Sequence, residues 1–74
     1  MLLEHYILTQ DPCIESVFLF IKRHGLRSEI HLNRTRFWIE SSLPIYSEFV
    51  LRYGHSCPLV DPSLDPATGL PLQP

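Results

Sequence analysis

His55-Ser56-Cys57 sets two soft ligands close together, and Cys13 and His24 could add others. Zinc sites usually show paired spacings such as C-x2-C or H-x3-H, and this chain has neither. Cys13 lies beside an expected helix start, where a thiol pKa can fall and the group can react. Its neighbour Ile14 argues for ordinary packing instead. His5 and His31 can approach each other on a sheet, but two histidines without an acid or a pocket are poor general acid–base machinery. The chain shows no Gly-rich phosphate loop, nucleophile elbow or convincing carboxylate pair. The expectation is a non-enzyme with no metal and no cofactor.

A second group of residues promises binding. "EIHLNRTRFWIE", residues 29 to 40, reads as a β-hairpin with its turn at Asn33-Arg34. Ile30, Leu32, Phe37 and Ile39 then point to one side. His31, Arg36 and Trp38 point to the other, framed by Glu29 and Glu40. Tryptophan and arginine are the usual anchors of protein interfaces, and an aromatic on an open sheet can also stack a nucleobase. The outer face of this hairpin is therefore the candidate site, with Trp38, Arg36, His31 and Arg34 as its contact residues.

The elements that must position this face follow a regular order. "LLEHYILT" (2 to 9) is apolar on both faces, as in a central strand. Its register leaves two sets for the open face, Tyr6 and Leu8 or His5 and Ile7. "QDPCIESVFLFIKRHG" carries helix signals at both ends. Asp11 can cap, Pro12 suits the first turn, Glu15 favours the start, and Lys22-Arg23-His24 favour the end before Gly25. Ile14, Val17, Phe18 and Ile21 form its expected inner stripe.

The hairpin comes next, then a second helix from near Pro44, since the residue before proline avoids helical geometry. Ile45, Tyr46, Phe49, Val50 and Tyr53 would face inward, and Gly54 ends the helix. "SCPLV" (56 to 60) reads as a short edge strand, where its proline is tolerated. The result is an α+β fold, a small β-α-β-β-α(-β) sandwich with both helices on one face of an antiparallel sheet. Its element order is ferredoxin-like.

Composition supports a small folded unit. The chain has 74 residues, 45% apolar and 19% charged, which is globular rather than disordered. Residues 1 to 60 form the expected domain and 61 to 74 an extended, proline-rich tail. A core this small tends to leave apolar surface uncovered, which favours a homodimer or a bound partner.

Five of the six basic residues fall between Lys22 and Arg36, yet a pI near 6.0 is low for a nucleic-acid domain. The topology also divides them. Lys22, Arg23 and Arg27 belong at the lower edge of the sheet, and Arg34 lies roughly 16 Å away at the top of the second strand. RNA-recognition modules carry a glycine-aromatic signature on the third strand, whereas "NRTRFWIE" has one outward aromatic and no glycine. Nucleic acid is the alternative reading.

The N-terminus "MLLEHYILTQ" has an early acid and no basic n-region, and the longest apolar run, "VFLFI", is too short to cross a bilayer. The expectation is a soluble cytoplasmic protein whose Cys13 and Cys57 are reduced thiols. The tail repeats Val-Asp-Pro and Leu-Asp-Pro, which favours extended PPII-like structure. Its Leu64 and Leu70 would dock on the protein's own body or on a partner. Taken together, these features predict a non-catalytic interaction or regulatory protein, adaptor or inhibitor-like, working through its open sheet and its tail. The alternative is a single-stranded nucleic-acid binder using Trp38, Arg36 and Arg34.

Overall fold

A computed structural model describes residues 1–60 of the chain; the expectations for Leu64, Leu70 and the tail lie outside them. The elements run β1 (Leu2–Leu8), α1 (Ile14–Arg23), β2 (Ser28–Ile30), β3 (Arg34–Glu40) and α2 (Pro44–Tyr53). The strands form an antiparallel sheet in the order β1-β3-β2. Both helices pack on one face of it, around Ile7, Phe37 and Ile39 from the strands and Val17, Phe20, Ile21 and Phe49 from the helices. This is a small α+β fold.

Local chemistry sets the ends of α1. The Asp11 carboxylate accepts the Cys13 N–H at 2.8 Å and the Asp11 carbonyl accepts the Ile14 N–H at 3.0 Å, so a capped turn precedes the helix. At the other end Gly25 takes φ +60°, where a Cβ would be strained. Its N–H reaches the Lys22 carbonyl at 3.3 Å, and the Leu26 N–H reaches the Ile21 carbonyl at 3.0 Å. That pair of bonds is a Schellman stop, and Leu26 adds its usual apolar contact by packing against the core. The chain is thereby delivered to β2 at a defined level of the sheet.

That level moves the hairpin. The turn lies at Leu32-Asn33, with the His31 N–H bonded to the Arg34 carbonyl at 2.8 Å, and Ile30 pairs with Thr35. Relative to a turn at Asn33-Arg34, each residue's cross-strand partner moves by two. An even shift keeps every side chain on its own face, so Phe37 and Ile39 still point inward and Arg36 and Trp38 outward. The same shift leaves Ile30 and Leu32 uncovered at the hairpin end, 76% and 91% exposed, where they had been expected to join the core.

The helix stripes are also rotated from expectation. Phe20 is buried and Phe18 is partly exposed, while on α2 Val50 is exposed beside buried Phe49. The cause is contact between the helices. Phe20 meets Phe49 and Tyr53, each at 5.8 Å between ring centroids, so the two helices turn their aromatic sides toward each other.

Beyond α2 the chain returns to the free edge of β1. The Tyr6 N–H bonds the Pro58 carbonyl at 3.2 Å, and the Val60 N–H bonds the Glu4 carbonyl at 3.0 Å. Leu59 makes an antiparallel bridge to His5, so 58 to 60 add one bridge where 56 to 60 had been read as a short strand. No described helix is long and apolar enough to cross a membrane.

Candidate interaction surface

The register of β1 follows from its pairing with β3: Leu3 opposes Ile39, His5 opposes Phe37 and Ile7 opposes Thr35. Those six residues face the helices. Leu2, Glu4, Tyr6 and Leu8 therefore share the open face with Arg34, Arg36, Trp38 and Glu40 of β3 and Glu29 of β2. Of the two sets left open by the sequence, Tyr6 and Leu8 are the outward one.

Trp38 and Tyr6 are the aromatic centres of this face, and arginines lie over both. The Arg27 and Arg36 guanidinium carbons sit 4.7 and 5.3 Å from the Trp38 ring centroid, and that of Arg34 sits 5.7 Å from Tyr6. Arg36 also donates from Nε to the Glu4 carboxylate and lies 3.7 Å from the Glu29 carboxylate. Glu4 is only 9% exposed in this pair. The hydrogen bond to Glu4 holds the Arg36 pKa above its ordinary value. His31 sits at the turn, with Nε2 3.7 Å from Glu29.

The expected contact residues Trp38, Arg36, Arg34 and His31 are thus gathered around one face, at its centre and its hairpin end. The sequence reading missed two participants. Arg27 is the first: the Trp38 N–H bonds its carbonyl at 3.0 Å and its guanidinium covers the indole ring. Glu4 is the second: it shares the parity of Tyr6 and Leu8, and Arg36 rather than solvent holds its carboxylate.

The inner face carries a different chemistry. His5 is buried, its Nδ1 2.8 Å from the Cys57 carbonyl and its Nε2 3.0 Å from the Tyr46 hydroxyl. A carbonyl only accepts, so Nδ1 carries the proton and Nε2 accepts from Tyr46. Burial lowers the His5 pKa, partly offset by the Cys57 carbonyl, and raises that of Tyr46. One ring thereby ties β1 to α2 and to the segment that returns along its edge.

Cys13 Sγ lies 4.0 Å from His55 Nε2 on the surface, and among the described residues no three potential ligands converge on a metal position. Cys57 is buried, its thiol pushed up to about 12 by burial and by the charges of Asp11 and Cys13. We expect an alkylating reagent at pH 8 to label Cys13 in the folded protein and Cys57 only on unfolding. Peptide mass analysis after timed labelling checks this, and equal rates at the two thiols would contradict it.

A shallow cleft of about 290 Å³ lies between Leu8-Thr9-Gln10 and Leu32-Asn33, with no titratable side chain in its lining. It offers no acid–base pair. No protein-family model, curated protein or solved structure matches the chain, so the functional reading rests on its own residues.

Proposed function

We propose that this is a small non-catalytic interaction or regulatory protein that binds a protein partner through its open sheet face. The observation that carries the reading is the neutralised cluster at the centre of that face. Arg36 is hydrogen-bonded to Glu4 and lies near Glu29, and together with Arg27 it lies over Trp38. A partner can exclude water around Arg36 without stranding its charge, the condition under which burying ionic groups is tolerated, while Arg27 rests its charge on the indole ring. Exposed Leu2 and Leu8 extend the apolar area on the outermost strand of the described sheet.

A single-stranded nucleic-acid binder is the second reading, favoured by Tyr6 and Trp38 on adjacent strands with arginine beside each. Two features weigh against it. Guanidinium groups already lie over the indole where a base would stack, and the Arg36 charge that a phosphate would need is already taken up by Glu4 and Glu29. The bridge at Leu59 supports reading 58 to 60 as an incipient fourth strand, which would make the order ferredoxin-like. The proline-rich tail as a second grip, and a cytoplasmic location, belong to the same proposal.

Salt separates the two readings. Binding at an apolar, internally neutralised face should change little between 50 and 300 mM salt. Attachment to phosphates should instead weaken by orders of magnitude. Affinity of the wild-type chain for single-stranded oligonucleotides, measured across that range, decides the point. Tight, steeply salt-dependent binding that Trp38→Ala abolishes would overturn the protein reading.

A further inference from the structure

Resting on the reading of the open face as a protein contact, we propose that its occupant is a second copy of this chain, packed face to face with the strands antiparallel. The face is self-complementary in that orientation. Along β3 its outward residues run Arg34, Arg36, Trp38, Glu40, from basic at the hairpin end to acidic at the other. Along β1 they run Leu2, Glu4, Tyr6, Leu8, with a leucine at each end.

An isologous dimer needs a patch that matches itself under a two-fold rotation. Let the axis lie in the interface, perpendicular to β3 at the level of Phe37. Arg34 then comes opposite the partner's Glu40, Arg36 opposite the partner's Trp38, and Leu2 opposite the partner's Leu8. Tyr6 comes opposite the partner's Glu4. An axis along the strands would instead bring Arg34 to the level of its own copy, like charge against like.

The charges available for exchange are the outer ones. Among the described residues Arg34 has no carboxylate partner, and its guanidinium rests only on Tyr6. Glu40 is bonded to the N-terminal ammonium and to Ser42, yet remains solvent-accessible and can accept more. The inner pair, Arg36 with Glu4, is already satisfied within one chain. The centre of the interface is therefore aromatic around an internally paired Arg36, with Arg27 held on the indole, and its ends are paired, which is the usual anatomy of core and rim.

Size sets the strength. β1 and β3, seven residues each, are roughly 23 Å long, and the three-residue β2 widens the sheet to roughly 14 Å over part of that length. With side-chain relief such a patch buries on the order of 500 Å² per copy, near the lower limit for a specific interface. The dimer is accordingly reversible and micromolar.

The test is sedimentation velocity of the full chain over a concentration series, with Arg34→Glu, Glu40→Arg and an equimolar mixture of the two. The wild type should show a concentration-dependent dimer, and each charge reversal should weaken it by about tenfold or more. The mixture should recover it, because the mixed dimer pairs opposite charges at both contacts, one with the native signs and one with the signs exchanged. That recovery excludes misfolding as the cause of the losses. A wild type that stays monomeric at the highest attainable concentration overturns this inference. So does a dimer indifferent to both reversals. If a monomer still binds a purified partner in a Trp38-dependent way, the second copy is ruled out and the open face stands as a protein surface.

Discussion

Phe37→Ala should unfold the domain, whereas the neighbouring substitution Trp38→Ala should leave it folded and abolish association. Phe37 is fully buried, 5.9 Å from the His5 ring and 5.4 Å from Phe49 between ring centroids. Removing it empties the centre of the core at a cost of about 3–5 kcal/mol, comparable to the whole stability of a domain this small. Trp38 lies one residue along β3 on the opposite side. Its loss removes two guanidinium contacts worth about 0.5–1 kcal/mol each at a partly exposed site, while Ile39 and Phe37 still hold the strand. At an interface the same substitution should cost about 2 kcal/mol or more. Urea titrations of both variants, paired with a sedimentation or binding assay, check the contrast. Similar losses of stability from both would mean that the outer side of β3 is buried within one chain.

The second large effect belongs to His5. Its neutral ring is the native form, and burial lowers its folded pKa below the ordinary 6.5. As pH falls, the unfolded chain therefore takes up the proton before the folded one does. The contribution of His5 to stability is complete above about pH 6.5 and is lost progressively as pH drops toward the folded pKa. The groups facing the ring are the Tyr46 hydroxyl, the Cys57 carbonyl and the faces or edges of Phe37 and Phe49, none of which neutralises an imidazolium.

His5→Ala should cost about 2–4 kcal/mol at pH 7.5, since it leaves a cavity and two partners unpaired. The informative comparison is the slope: the wild type should lose stability between pH 7 and 5, and His5→Ala should be flatter over that range. Glu40, whose pKa is lowered chiefly by its bond to the N-terminal ammonium, contributes only at lower pH and in both proteins. Urea midpoints across pH 4.5 to 8 provide the measurement. Parallel curves for the two proteins would show that His5 is not the titrating group.

The outward set on the hairpin was legible because alternation survives any even slip, so the two-residue error in the turn left Arg36 and Trp38 on the correct side. Element order was legible for a similar reason: Asp11, Gly25 and Pro44 act locally. The side of β1 was not, because Tyr6 and Leu8 are as apolar as His5 and Ile7. His5 goes inward because Cys57 and Tyr46, some 52 and 41 residues along the chain, satisfy both its nitrogens. Phe18 and Phe20 could not be told apart within the continuous apolar run "VFLFI", and only the contact with α2 chooses between them. Arg27 is outside any strand pattern and joins the face by reaching across to Trp38.

Trp38 is the only tryptophan in the chain, so its fluorescence reports directly on the centre of the open face. If that face is buried against a second copy, dilution through the micromolar range should shift the emission to longer wavelength. Quenching by acrylamide should become stronger over the same range, and Arg34→Glu should keep the dilute-state spectrum up to concentrations about tenfold higher or more. An emission spectrum and quenching constant unchanged by dilution and by Arg34→Glu would contradict self-association through this face.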